Sequence, residues 1–492
     1  MARYLLMVSL IIRSFTLLSQ TSETEYITQA RHAIFTLDTG MASRMLDLEK
    51  AQNPENGYIY YYQNYLHFLQ VLFSGDRVDY HRYTRLSADR LNSLGSLDES
   101  HPDYLYFLSA VNLQTFLLDF FHGEYWHGAK AFLRAHRQIQ ENQSIHPAYP
   151  GNRKILGIIE LLLSSVPPEK EWLFDILGLR GDRDGGMERL HNYYDECGPG
   201  DRPEALLIFA LASNYYATDP SAALSELSAA WDEGRNSPLY QYIYALLARK
   251  AGRPDEARKI LEQSTADTGA FRIPFADLLM GELLLSSREG EAGVFFGRFI
   301  NRYKGTNLKK VAWHKLSWYY FLQGEDRRYQ EYRNLARTEG STFLEQDKQA
   351  MEEAGDTNEL NQLLLWARIL YDGNRYRDAL NLLLEAGDED LATARDRVEY
   401  SYRLARVYHA LGDLPRAKEN YGNVIEKRAG CPCYFIPYSA LQLAEIHEEA
   451  GEYAAAEKMY SSCLELNRFQ YRGSIGSRAR AGLKRVRDHS NE

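Results

Sequence analysis

The chain is poor in the residues that divide a polypeptide or equip it for chemistry. Fifteen prolines and thirty-four glycines are scattered over 492 residues, so no Pro/Gly-rich linker cuts it into separate bodies. There are four cysteines, and only Cys431 and Cys433 lie close together, flanking Pro432. A zinc site draws four ligands, usually from two paired clusters, and the second pair is missing. Two readings of Cys431 and Cys433 stay open: a disulfide in an exported protein, or free thiols beside a turn stiffened by Pro432. Positive charge is also short. Lys and Arg total 57 against 67 Asp and Glu, a formal net charge of −10. Affinity for phosphate backbones comes chiefly from Lys and Arg, so nucleic acid is not an expected partner. Beyond the N-terminus no apolar run reaches ~18–20 uninterrupted residues, and no transmembrane span is expected.

Motifs that announce a reaction are missing too. No Gly-x-x-x-x-Gly-Lys-Ser/Thr phosphate loop, Gly-x-Ser-x-Gly elbow or His-Glu-x-x-His occurs. Gly181-Asp182-Arg183-Asp184-Gly185-Gly186 spaces two acids like calcium ligands but lacks the later acids and the bidentate Glu of a closed site. It reads as a helix stop, a short link and a helix start. His122 and His127 are five apart across Gly123, a poor chelating geometry, and His314 stands beside aromatics. Glu352-Glu353 and Glu448-Glu449 are adjacent pairs whose members point to different helix faces, so both read as solvated. The C-terminal basic cluster Arg478, Arg480, Lys484, Arg485 and Arg487 reads as the solvated face of a capping helix, with an anion or membrane-surface contact as the alternative. The expectation is a non-enzyme with no catalytic residue, no cofactor and no metal.

The N-terminus has the pattern of an export signal. Residues 1–3 are short and basic, residues 4–12 are apolar apart from Ser9, and residues 15–18 continue the run before a polar stretch at 19–23. Arg13 interrupts the run, and small residues at a cleavage position are scarce. No cysteine stands near the exit, so a lipoprotein anchor is not expected. Residues 1–20 are read as a signal peptide, which places the chain in the periplasm or cell envelope of a bacterium; without that signal the chain is cytoplasmic.

What the sequence does have is tyrosine and a repeat. Thirty-six tyrosines suit thin layers of helices, where a ring packs inside while its hydroxyl reaches water. Internal periodicity is the strongest signal. Leu404 and Ala405 are followed by Tyr408, a Gly412-Asp413 turn, Ala417, Tyr421 and Val424. The same offsets return at Leu443, Ala444, His447, Gly451, Ala456, Tyr460 and Cys463. Small residues let two helices approach, large ones fill the grooves, and glycine ends the first helix. Weaker copies stand at Ala245, Gly252, Ala257 and Leu261; at Gly281, Leu284, Ala292, Phe296 and Phe299; at Trp313, Leu316, Ser317, Tyr320 and Gly324; and at Ala367, Tyr371, Ala379, Leu383 and Ala386. Earlier ones are Ala210, Ala222 and Ala229, and Gly123, Gly128, Phe132 and Ala135. Spacings drift, with insertions at residues 337–356 and around Cys431. Tyr58, Tyr60, Tyr61, Tyr62, Tyr65 and Phe68 cover more than one face of a helix, which is read as buried on several sides.

This pattern resembles the tetratricopeptide repeat, a helix–turn–helix unit of roughly 34 residues. The resemblance implies an all-α, helical-hairpin solenoid wound as a right-handed superhelix. Residues 21–200 are its degenerate N-terminal part and residues 201–492 its clearer repeats with a C-terminal capping helix. Residues 155–330 also look like the eukaryotic inclusion-body-clearance family of tetratricopeptide proteins. The likeness rests on Leu177-Gly178-Leu179-Arg180-Gly181-Asp182 leading to Gly185, on the segment from Pro274 to Glu282, and on the segment from Ala312 to Tyr320. It implies an adaptor-like, non-catalytic role. A non-catalytic protein–protein interaction scaffold is therefore the expected function, with a protein or peptide partner in the concave groove and a possible peripheral contact with the envelope. Groove residues expected from helical phase are Tyr242, Lys315, Tyr319, Arg403 and Gln442. The alternative is an outer-membrane-associated carbohydrate-binding protein, suggested by the aromatic content and the export signal.

Overall fold

The computed structural model describes residues 21–166, 178–230, 237–264, 271–427, 433–468 and 472–490. The expected signal peptide at residues 1–20, and Cys431, lie outside them. Among the described residues there are twenty-four α-helices, one short 3-10 turn and no strand.

The helices pack as helix–turn–helix hairpins in sequence order: α1 (Glu25–Phe35) with α2 (Thr39–Gln52), α3 (Gly57–Ser74) with α4 (Arg77–Leu94), and α5 (Pro102–His122) with α6 (Tyr125–Ile145). Next are α7 (Gly151–Ser164) with α8 (Arg183–Glu196), α9 (Arg202–Tyr216) with α10 (Ser221–Ala229), and α11 (Pro238–Lys250) with α12 (Pro254–Ser264). Then come α13 (Pro274–Ser286) with α14 (Ala292–Arg302) and α15 (Lys309–Leu322) with α16 (Asp326–Thr338). The insertion expected at residues 337–356 folds as an extra helix, α17 (Glu345–Gly355), laid against both α15 and α16. The last hairpins are α18 (Gln362–Asp372) with α19 (Tyr376–Leu384), α20 (Ala394–Ala410) with α21 (Leu414–Glu426), and α22 (Phe435–Glu449) with α23 (Tyr453–Leu466), closed by α24 (Arg472–Ser490).

The scarce prolines are placed where a helix tolerates them. Pro102, Pro203, Pro238 and Pro274 sit in the first turn of α5, α9, α11 and α13, where the missing N–H is one of the groups left unbonded anyway. Asp182 caps α8 by accepting from the Gly185 N–H at 2.9 Å, so the acidic loop starts a helix as expected. Gly412 and Gly451 adopt φ +79° and +74°, the left-handed turn that the repeat requires. At Gly281 a Cβ would lie 2.7 Å from the Phe296 ring, so the small residue sets the α13–α14 approach. The packing positions Ala405, Ala417, Tyr421, Ala444, Ala456, Tyr460 and Cys463 are all fully buried. One expected copy is out of phase: Ala222 and Ala229 are exposed, and Ala223 takes the buried place. The helix there is short, and the apolar face of α10 is carried by Ala223, Leu224 and Leu227.

One hydrophobic core runs from Ile27 to Ile369. It is continuous because the coil folds back on itself. Helix α13 packs against α3 and also against α18. The Ser237 hydroxyl donates to the Phe35 carbonyl at 3.0 Å, the Lys304 N–H to the Ser74 carbonyl at 2.8 Å, and Asn307 to the Phe121 carbonyl at 3.1 Å. Asn374 donates to the Arg249 carbonyl, and Arg375 pairs with Asp255. The tyrosine-rich α3 is buried in this body, with Tyr61 and Tyr62 each 2% exposed. Between α7 and α9, Lys154 pairs with Glu204 at 2.9 Å, both buried, inside a cage of Tyr61, Tyr106 and Tyr193. Among the described residues one helix, α5, is long and apolar enough to cross a membrane, and most of it is buried within the protein. C-terminal to this body the core breaks into two smaller clusters, Leu364–Ile446 and Ala440–Val486.

Candidate binding site

The two regimes meet at a cleft between α15, α17, α18, α20 and α22, with about 730 Å³ of empty volume counting its open mouth. First helices of successive hairpins form its floor, and the inserted α17 with the segment at 356–361 forms one wall.

Its interior is a chain of ion pairs. Arg368 donates both terminal nitrogens to Glu353, at 2.9 and 2.8 Å, a bidentate fork. His314 Nε2 lies 3.0 Å from the same carboxylate and donates to it. Burial works to raise Glu353, yet Arg368 and His314 hold it well below the usual carboxylate range. Burial lowers His314, so the imidazole stays neutral. Arg403, on α20, donates Nε and Nη2 to Glu399 Oε1 at 3.1 and 2.6 Å. Its side chain is only 4% exposed, and Nη1 is buried with no hydrogen-bond partner. Arg395 pairs with Asp356 at 2.9 Å. Arg333 reaches the carbonyls of Ala354 and Asp356 and, among the described residues, makes no ion pair. Behind the cleft, Lys315 and Arg368 lie over the two-ring face of Trp318, at 4.3 and 4.6 Å from the ring centroid. Asp372 sits among Lys315, Arg368 and Arg406 at 3.6 to 4.0 Å; burial opposes its ionisation, but these cations keep it below the usual range.

The five groove residues expected from helical phase separate. Arg403 lines the cleft, and Lys315 lies just behind it, lining a smaller recess with Arg249 and Glu282. Tyr242 packs partly buried against the core, where burial and then Tyr215 push its phenol up. Tyr319 donates its hydroxyl to the Gly290 carbonyl at 2.5 Å and covers Gly293, so it is a packing residue. Gln442 donates to Glu445 at 2.6 Å on α22, outside the cleft lining.

Several residues here were misread or missed. Glu353 is not solvated: its side chain is 14% exposed and anchors Arg368 and His314. The inserted helix α17 carries no repeat frame, so nothing local marks Glu353. Arg368 and Arg406, by contrast, each directly follow the small packing residue of their helix, Ala367 and Ala405, and that shared phase would have found both. Glu448 is likewise engaged, by Arg485 at 2.7 Å, and the C-terminal basic face pairs with the previous hairpin through Arg478–Glu445 and Arg487–Glu457 as well. Elsewhere, His127 bonds Asp119 at 2.6 Å while His122 stacks on Tyr80. Among the described residues no group of three or more His, Cys, Asp or Glu is placed to hold a metal. Cys433 is disulfide-bonded, whereas Cys197 and Cys463 are free and buried.

No family model matches the chain, and no curated protein does. Solved structures do match over most of its length. The P58(IPK) TPR domain is 13% identical, covering 87% of this chain and 97% of that one at a TM-score of 0.22. The APC/C hetero-tetramer Cut9–Hcn1 is 11% identical, covering 94% and 96% at a TM-score of 0.28. The hairpin architecture described above stands on the chain's own helices.

Proposed function

We propose that the chain is a non-catalytic docking scaffold whose partner is a protein or peptide seated in the cleft between α15 and α22. The observation that carries this is Arg403 Nη1, a buried donor with no hydrogen-bond partner among the described residues. An unmet buried donor costs about 1–3 kcal/mol, and binding a partner that supplies an acceptor recovers that cost. Export of the chain, with a peripheral place at the envelope, belongs to the same reading and rests on residues 1–20. N-terminal sequencing of the mature protein from fractionated cells tests it; an intact residue 1 in a cytoplasmic fraction overturns it.

The docking test uses a photo-crosslinking amino acid at Leu360, which is 36% exposed at the mouth of the cleft, and at Leu48, which is 40% exposed elsewhere. A protein adduct at Leu360 that is lost on Arg403→Gln, with none at Leu48, is the expected result. Equal adducts at both positions, or none at Leu360, overturn the reading.

A second reading, glycan binding, draws on the exposed aromatics Tyr125 and Trp126, the latter 88% exposed at the start of α6. Sugars stack on such rings. A glycan array on which Trp126→Ala changes nothing removes it.

A further inference from the structure

The cleft makes a chemical demand that its own residues leave unmet, and we infer that the partner presents a carboxylate to Arg403. This rests on the docking reading above and specifies its chemistry.

Two independent features support it. The first is geometric. Arg403 spends two of its three nitrogens on one oxygen of Glu399, leaving Nη1 buried and, among the described residues, unpaired in a side chain that lines the cleft. The guanidinium lies over the Tyr402 and Phe435 rings, but an oxygen acceptor bonds its free N–H more strongly than a ring face does, and an ionised one more strongly still.

The second is charge. In and behind the cleft lie Arg333, Arg368, Arg395, Arg403, Arg406 and Lys315. Against them stand Glu353, Asp356, Asp372 and Glu399, with Glu359 exposed at the mouth. His314 is neutral and adds nothing. With every acid ionised, including Glu359, the cluster still holds one more cation than anion, in a protein whose net charge is −10. Arg333 is the cation without a carboxylate: it is held by the backbone carbonyls of Ala354 and Asp356. A half-buried excess of one positive charge is matched by a monoanion. A carboxylate supplies that charge and an oxygen for Nη1, while a neutral amide supplies only the oxygen. A phosphate dianion would overshoot the balance.

A protein offers carboxylates from two sources, an acidic side chain and a chain terminus, and the experiment separates them. Isothermal titration of the full chain uses four peptides. Acetyl-Gly-Gly-Glu-Gly-amide carries a side-chain carboxylate, and acetyl-Gly-Gly-Gln-Gly with a free C-terminus carries a terminal one. Acetyl-Gly-Gly-Gln-Gly-amide is the neutral isostere, and acetyl-Gly-Gly-phosphoserine-Gly-amide carries the phosphate. At least one carboxylate peptide is expected to bind about ten- to a hundredfold more tightly than the neutral one, and which of the two does so names the source. Arg403→Gln erases that difference; Arg403→Lys keeps the charge but loses the fork and retains part of it. Melting curves report whether each variant folds, and the comparison of peptides on the unaltered chain holds even where one does not. Equal binding of the neutral peptide, tighter binding of the phosphopeptide, or no binding of any up to about 10 mM overturns the carboxylate assignment. If crosslinks at Leu360 persist in that case, the docking reading stands without it; their absence removes the docking reading itself.

Discussion

Residues 25–322 and residues 362–490 use the same hairpin but build different kinds of body with it. In the first, successive layers touch one another across the coil, through Ser237 and Phe35, Lys304 and Ser74, and Asn307 and Phe121, and one core spans the whole region. In the second, the hairpins after α18–α19 pack on their neighbours alone, and the core divides into two short clusters. A solenoid whose repeats see only neighbours keeps an inner face free, whereas a coil that closes on itself spends that face on packing. Tyr242, on the inner α11, shows the second outcome, and Arg403, on α20, the first. The cleft forms at the junction, where the inserted α17 walls off first helices whose inner face has nothing further to cover it.

The largest effect that would test this contrast lies in the closed region. Replacing Lys154 by Met strands Glu204 in its tyrosine cage and is expected to cost about 3–5 kcal/mol in denaturant unfolding, while Lys154→Met with Glu204→Leu recovers most of it. A loss below about 1 kcal/mol would mean that the pair is solvated and the region more open than described. Phe299→Ala and Tyr421→Ala remove fully buried rings of the two regions, each at a cost of about 3–4 kcal/mol. Hydrogen exchange should separate them: Phe299→Ala speeds exchange in α3, across the coil, as well as in α13 to α15, and Tyr421→Ala speeds it in α20 to α23 alone. Exchange that spreads equally from both sites would erase the distinction.

The junction has its own pH dependence. Asp347 of α17 accepts from the N–H groups of Leu308, Lys310 and Val311 at the start of α15, and burial pushes its carboxyl up to about 6 despite those bonds. A folded-state value above the unfolded one means that the native form binds the extra proton. The associated stability is present below about pH 4 and is lost as pH rises through about 6, a change of about 3 kcal/mol. Unfolding titrations from pH 4 to 7 should show that slope in the native sequence and its loss in Asp347→Asn. The smallest effect belongs to the last cap: Arg485→Ala breaks a pair with Glu448 whose arginine is 55% exposed, costing about 0.5 kcal/mol, less in high salt.

The second region was legible because its rules are local. Ala405, Gly412, Ala417 and Tyr421 repeat as Ala444, Gly451, Ala456 and Tyr460, and each is placed by the two helices next to it. The hairpins of the first region were legible in outline, but not their closure, because Lys304 meeting Ser74 follows from accumulated superhelical turn rather than from any residue pattern. The same limit applies to the site. Lys315, Arg403 and Gln442 share one phase, two residues before the small packing residue Ser317, Ala405 or Ala444. Phase picked the inward face correctly for Arg403, but only the position of α17 decides which inward residue borders a cavity, and α17 is an insertion. In the sequence Glu353 reads as a solvated acid because its partners, His314 and Arg368, lie on other hairpins.

Closure of the coil also sets an order of events during synthesis. The Phe35 carbonyl waits for a hydroxyl 202 residues further along the chain. At ribosomal speeds of about 5–20 residues per second, that gap amounts to roughly 10–40 s. Over that interval the first hairpins emerge with their inner aromatic faces bare, and they are the part of the nascent chain most in need of a chaperone's shelter.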